Sequence, residues 1–95
     1  MRVLIVSERE VEHHLTMKEC IGVMERALAS LARGESHQPL RNLIRAPGAP
    51  GILGMMPGHS GSFYGLKEVC VFPGNPARGL DTHLGAVLLH SGETV

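Results

Sequence analysis

The spacing of apolar residues changes from a helical to a strand-like period near residue 35. Between residues 17 and 31, apolar positions recur at intervals of four and three, on one helical face: Met17, Ile21, Met24, Leu28 and Leu31. Two capping boxes, Ser7 with Glu10 and Thr16 with Glu19, predict helices that begin at residues 8 and 17. Gly34 is placed to end the second helix, whose apolar face we expect to pack on a core.

Short apolar runs predict strands on both sides of these helices. The first run is Val3 to Val6. After residue 35, where all six prolines lie, four more strands are predicted at residues 40–46, 52–56, 64–72 and 84–89. We interpret Gly58 to Ser62, which is small and polar, as a flexible loop. Because the connections are short, the pattern predicts an α+β fold, with the N-terminal strand and two helices packed on a mostly antiparallel sheet.

Chain length indicates a single domain, and charge balance excludes some classes of binding partner. Ninety-five residues are enough for one modest core. Nine basic residues balance nine acidic ones without a basic stripe, which argues against nucleic acid and anionic membranes as partners. No apolar run reaches the length of a signal peptide or a membrane-spanning helix. The two cysteines have no metal or redox spacing, so we expect a cytoplasmic location.

The sequence does not match the common catalytic and metal-binding motifs. The glycines at positions 48, 51 and 54 lack the flanking strand and helix of a dinucleotide fingerprint. Ser60 misses the nucleophile-elbow pattern by one position. The six histidines are not spaced as metal ligands. We therefore expect neither a metal site nor a catalytic serine.

Lys67 is the one charged residue on an otherwise apolar strand face. Alternation places it beside Val69 and Val71. Leu66 and Glu68 fall on the opposite face. One interpretation is that the lysine stem covers apolar surface while the ammonium group reaches water. The other is that the ammonium group faces a pocket and meets an anionic ligand, because an unpaired buried charge is costly.

Arg41 stands on a second, similar strand face and is able to meet Lys67 if both strands belong to one sheet. Two adjacent cations repel each other, so a bridging anion would stabilise the pair. A substrate carboxylate suits the planar fork of arginine and the point charge of lysine. The alternative is that these cations form salt bridges with Glu35 or Glu68.

Several short segments, taken in order, resemble one known family. They are Gln38-Pro39-Leu40-Arg41, Gly51 to Pro57, Leu66-Lys67, Phe72, Asn75 and Gly79 to His83. With this order and spacing, essentially the whole chain resembles the N-terminal part of the ornithine cyclodeaminase and mu-crystallin family. The resemblance implies a homodimeric, NAD- or NADP-dependent protein of small amino or imino acids. Such a protein combines a substrate-binding and dimerisation domain with a Rossmann domain.

The resemblance also implies roles for individual residues. Arg41 and Lys67 match family residues that hold the substrate carboxylate, and Met56 matches a residue that lines the same pocket. Thr82 and His83 match positions that approach the dinucleotide cofactor from the substrate domain. Family members include cyclodeaminases, alanine dehydrogenases and ketimine reductases.

Two departures from the family pattern shape the expected function. Gly54 stands where ornithine cyclodeaminases proper carry a glutamate, which argues against a strict ornithine cyclodeaminase. The chain ends at Val95, before the family's Rossmann segment and catalytic aspartate. We therefore expect residues 1–95 to form an incomplete N-terminal substrate-binding and dimerisation domain without a catalytic residue. It would bind the substrate carboxylate but be inactive alone. The alternatives are a non-catalytic, mu-crystallin-like binding protein and an inactive truncated fragment.

Overall fold

Two helices open the chain, of which the computed structural model describes residues 1–94. Helix α1 spans Glu8–His14 and helix α2 spans Met17–Ala32, as the caps predict. At α1 the Ser7 hydroxyl accepts a hydrogen bond from the Glu10 N–H at 3.3 Å. In return the Ser7 N–H donates to the Glu10 carboxylate at 2.7 Å. The Ser7 hydroxyl also donates to this carboxylate at 2.8 Å. The hydrogen bonds from the Ser7 N–H and hydroxyl lower the pKa of the Glu10 carboxyl group below its ordinary value.

Helix α2 also begins and ends at the predicted residues. The Thr16 hydroxyl accepts a hydrogen bond from the Glu19 N–H at 3.2 Å. Gly34 follows the last turn with a φ of 75°, a left-handed conformation that glycine adopts without a steric penalty. Within residues 1–94, neither the length nor the apolar character of any helix suffices for a membrane span.

Five antiparallel strands form one sheet, so the structure has the predicted α+β class. The strands are β1 (Ser36–His37), β2 (Asn42–Ile44), β3 (Ile52–Ser60), β4 (Phe63–Val71) and β5 (His83–Ser91). Their order is β1, β3, β4, β5, and β2 pairs with β3 next to β1. A short 3-10 helix, Asn75–Arg78, connects β4 to β5.

The predicted strand at Val3–Val6 is wrong, because residues 1–7 form no regular secondary structure. A strand needs a neighbour for its backbone hydrogen bonds. Within residues 1–94 this apolar run pairs with no other strand. Its side chains are exposed, so the run adds to the apolar surface of the protein.

Strand β3 continues past its predicted end at Met56, through Pro57 and Gly58 to Ser60. Pro57 lies opposite residues 38–41, which separate β1 from β2 and which we name the break. A proline has no N–H to donate, and at the break no paired strand residue requires one. The strand therefore tolerates the proline.

The predicted flexible loop at Gly58–Ser62 is also wrong, since its first three residues belong to β3. Gly61 and Ser62 form a two-residue hairpin turn, with Ser60 and Phe63 paired beside it. Gly61 has a φ of 55°, which the first position of a type II′ turn requires. The turn fixes the register of β3 against β4.

Strand β2 is shorter than the predicted strand at residues 40–46, and it begins after Arg41. Strand β1 was not predicted, because two residues carry no recognisable alternation. Both strands lie on the same side of β3, and the break lies between them.

The two faces of the sheet have different surroundings. The Ser30 hydroxyl of α2 lies 2.8 Å from that of Ser36, which lies 2.7 Å from that of Ser60. Helix α2 therefore lies over the face that Ser60 shares, which we name the helix face. By alternation this face carries Leu43, Met56, Lys67, Val69 and Val87. The other face, the open face, carries Leu53, Met55, Leu66, Glu68 and Leu88.

Within residues 1–94 no apolar side chain is buried, so the core expected beneath α2 is not closed. The helix–strand contact that the structure describes there joins α2 to β1 at the sheet edge. Farther from this edge, the apolar face of α2 and the helix face of the sheet are separated by a groove. The most protected polar residue is Asn75, which is 9% exposed.

Candidate functional site

The groove between α2 and the helix face has a volume of about 370 Å³. Its apolar lining includes Met24, Leu28, Leu31, Met56, Phe63 and Val87. Polar lining residues are concentrated near β1: Ser36, His37, Gln38, His59 and Ser60. Among the lining residues that the structure describes, Lys67 is the one lysine, arginine or acidic residue. The groove thus joins one cation to an extended apolar surface.

Met56 and Lys67 are direct cross-strand partners, and Val87 is the partner of Lys67 on β5. Extended by one residue, the register of β2 brings Arg41 opposite Met56. Directly opposed residues of a sheet share a face. Met56 and Lys67 therefore share the helix face, and Arg41, one residue before β2, continues their line beyond the paired residues. We name these three residues the clamp row. Two strand spacings put about 10 Å between the backbones of Arg41 and Lys67.

Neither cation of the clamp row is paired with a carboxylate in the part of the chain that the structure describes. Glu35 instead binds Arg33, with 2.8 Å between the arginine Nε and the carboxylate. This hydrogen bond lowers the pKa of the Glu35 carboxyl group. Glu68 lies on the open face, across the sheet from Lys67. The alternative in which Glu35 or Glu68 neutralises the two cations is therefore wrong.

Lys67 combines features of both interpretations that its strand pattern leaves open. Its side chain is exposed, as expected for a lysine whose ammonium group reaches water. It also lines the groove beside Met56 and Val87. An exposed side chain of this kind is available to an anion that enters the groove.

His83 lies at the far end of the helix face, and Thr82 directly precedes it. His83 pairs with Val71, four residues along β4 from Lys67, which corresponds to about 13 Å. The Thr82 hydroxyl lies 2.9 Å from Nδ1 of His83. The structure therefore pairs Met56 with Lys67, leaves Arg41 one residue outside β2, and keeps His83 at a distance from them. A second ligand group, or a long ligand, is needed to meet both sets.

Asn75 holds the connection that leads into Thr82, a role that the sequence did not reveal. Its Nδ2 donates a hydrogen bond to the Asp81 carbonyl at 2.8 Å. Its backbone carbonyl accepts one from the Leu80 N–H at 3.1 Å. The Phe72 N–H then donates to the Thr82 carbonyl at 2.8 Å. A signal was present, because asparagine between Pro73-Gly74 and Pro76 is a turn residue able to bond nearby backbone.

The α2 wall of the groove was also missed. Their spacing predicts Met24, Leu28 and Leu31 as core residues, because helical spacing shows which side chains share a face and not what covers them. In the structure Leu28 is 61% exposed and lines the groove.

Comparison with known proteins gives consistent matches along the whole chain. Residues 1–94 match the model of the ornithine cyclodeaminase/mu-crystallin family. Alanine dehydrogenase of Archaeoglobus fulgidus is 35% identical over 94 residues, covering 99% of this chain and 29% of that protein. The chain thus spans less than a third of the length of this relative.

Solved structures show the same similarity. Thermococcus litoralis Δ1-pyrroline-2-carboxylate reductase, in complex with NADH and L-proline, matches with a TM-score of 0.90 and 31% identity. That match covers 97% of this chain and 29% of the reductase. An archaeal alanine dehydrogenase dimer with bound NAD matches with a TM-score of 0.84 and 34% identity, covering 92% of this chain and 27% of that one. The fold of residues 1–94 is therefore shared with NAD-binding enzymes of amino and imino acids.

Proposed function

The chain belongs to the ornithine cyclodeaminase/mu-crystallin family, and on this premise we propose that it is the substrate-binding part of an NAD- or NADP-dependent enzyme of amino or imino acids. In this proposal Arg41 and Lys67 bind the substrate carboxylate, and Met56 lies between them. The supporting observation is the clamp row, in which two cations without acidic partners in residues 1–94 flank one apolar residue.

The chemistry of a carboxylate matches this row. An arginine can donate two parallel hydrogen bonds to a carboxylate, and a lysine supplies a point charge from a second direction. Together they fix the position and the orientation of a small acid, which an enzyme requires before any hydride moves. Because both cations repel each other when the site is empty, an anion gains attraction from each and also relieves their repulsion.

Thr82 and His83 would contact the cofactor from the substrate side. Bound NAD or NADP would supply the hydride chemistry. The Thr82 hydroxyl and the His83 ring fit a peripheral contact, because both are hydrogen-bonding groups at the start of β5. Residues 1–94 offer no glycine-rich turn between a strand and a helix, so these two residues would orient a dinucleotide and not hold it alone.

The open face supports a homodimer. Leu53, Met55, Leu66 and Leu88 lie on it without a covering helix in residues 1–94. An apolar sheet face of this kind is typical of a surface that a partner covers. A second copy of the chain would present the same apolar surface.

The carboxylate proposal can be tested by NMR titration of the ¹⁵N-labelled chain with L-proline. We expect shifts in the amide signals of Met56 and Lys67. Lys67→Met should weaken binding about 5-fold or more, the effect of one exposed charge near 4 Å, and Arg41→Met should weaken it similarly. Lys18→Met, which removes an exposed lysine of α2 outside the groove, is the matched control. Equal affinities of Lys67→Met and Lys18→Met would exclude Lys67 from the site.

A further inference from the structure

We propose that Ser36 is a positioning residue for Arg41. Its hydroxyl group fixes the register of β1, and this register determines that Arg41, and not Leu40, lies opposite Met56. The inference rests on the proposed function, because the position of Arg41 affects binding only if Arg41 holds the substrate carboxylate. It goes further in naming a residue outside the clamp row on which the clamp row depends.

The registers of β1 and β2 on β3 differ by one residue. Strand β1 ends at the pair His37–His59, and β2 begins at the pair Asn42–Met55. Four residues separate these pairs along the break, whereas three residues separate them along β3. The break therefore contains one extra residue, as the longer strand of a β-bulge does.

The place of this extra residue decides which side chain lies opposite Met56. Extended from β1, the pairing brings Leu40 opposite Met56; extended from β2, it brings Arg41 there. Neighbouring residues of a strand point to opposite faces, so a slip of one residue would exchange arginine for leucine on the helix face. The clamp row thus requires the extra residue to lie between β1 and Arg41. Leu40 is 95% exposed, so packing of its side chain does not hold the break in place.

A chain of three hydroxyl groups holds β1 in its register. The Ser36 hydroxyl lies 2.7 Å from the Ser60 hydroxyl of β3 and 2.8 Å from the Ser30 hydroxyl of α2. Strand β1 has two residues, and the helix–strand contact that the structure describes joins α2 to it. Because no buried face specifies the register of so short a strand, the register depends on these hydrogen bonds. Ser36 therefore joins α2, β1 and β3 at the point where the break begins.

NMR of the ¹⁵N,¹³C-labelled chain tests the register directly. In the unmodified chain we expect nuclear Overhauser contacts between Arg41 and Met56. In Ser36→Ala these contacts should weaken, and contacts between Leu40 and Met56 should appear. Ser36→Thr keeps the hydroxyl group and should retain the contacts of the unmodified chain. Unchanged contacts in folded Ser36→Ala would overturn the proposal.

Ligand binding separates the positioning of Arg41 from a general structural role. Ser36→Ala should weaken the binding of L-proline by up to about 5-fold, the effect of one exposed charge near 4 Å. It should cause no further loss in the Arg41→Met chain, which has no guanidinium group to position. Ser62→Ala is the matched control and should leave the affinity unchanged, because Ser62 is an exposed turn residue for which the structure describes no side-chain hydrogen bond. Equal losses with and without Arg41 would refute the positioning role.

The failure of this inference can be distinguished from that of the proposed function. If Arg41→Met weakens the binding of L-proline and Ser36→Ala does not, the carboxylate site stands and the positioning role is wrong. If Arg41→Met leaves the affinity unchanged, Arg41 does not belong to the carboxylate site, and the inference that depends on it is wrong as well.

Discussion

Replacement of Asn75 by alanine should destabilise the protein and loosen the connection that carries Thr82. Asn75 is 9% exposed, and its Nδ2 donates a 2.8 Å hydrogen bond to the Asp81 carbonyl. The net value of such a bond is about 0.5–1.5 kcal/mol. Asp81 is exposed, so water can satisfy its freed carbonyl. We therefore expect a loss of about 1 kcal/mol in the free energy of unfolding, or about 4–8 °C in Tm for a domain of this size.

Urea denaturation followed by circular dichroism measures this loss, and Asn42→Ala is the matched control. Asn42 is an exposed asparagine on β2, for which the structure describes no side-chain hydrogen bond. Its replacement should change stability by less than about 0.5 kcal/mol. In Asn75→Ala, the amide NMR signals of Leu80 and Thr82 should also shift, because these residues belong to the hydrogen-bonded connection. Equal destabilisation by the two variants, with unmoved Thr82, would refute the anchoring role.

Two further predictions concern the α1 cap and the open face. Because hydrogen bonds from Ser7 lower the pKa of Glu10, their stabilisation is complete above the ordinary carboxyl pKa and is lost as pH falls through the lowered value. On acidification, the helical circular dichroism signal should therefore fall less for Glu10→Gln than for the control Glu12→Gln. If the signal falls equally with pH in both variants, this prediction is contradicted. Sedimentation equilibrium should show a dimer that Leu88→Asp, on the open face, dissociates. A monomeric unmodified chain would refute the homodimer.

The helices were predictable because their determinants are local. Ser7 with Glu10 and Thr16 with Glu19 lie within one turn of each other, so the caps depend on no distant residue. The α+β class followed from the change in apolar spacing near residue 35. The alternation that placed Lys67 with Val69 also agrees with the observed register.

The strand ends were less predictable because pairing decides them. Pro57 predicts the end of a strand, because proline has no N–H for a backbone hydrogen bond. It lies opposite the break, however, where no paired strand residue needs that hydrogen bond. Val3–Val6 has the composition of a strand and finds no partner within residues 1–94. Gly61-Ser62 was a recognisable hairpin signal, since glycine followed by serine suits a two-residue turn.

The candidate site was predictable in its chemistry and not in its surroundings. Alternation identified Lys67 as a cation on an apolar face, but the register that joins it to Met56 comes from the paired strands. The apolar spacing of α2 could not show that Leu28 lies over a groove. Which element packs over a given face depends on the tertiary structure, and sequence periodicity alone does not show it.

Arg41 and Lys67 are supported unequally by the backbone. Lys67 lies in the middle of β4, with paired strands on both sides. Arg41 lies in the break, next to a strand of three residues at the sheet edge. Segments with few neighbours open locally at a lower free energy than central strands. In the proposed site, ligands of different length would thus meet a fixed lysine and a more mobile arginine, and any tolerance for ligand size would come from the edge of the sheet.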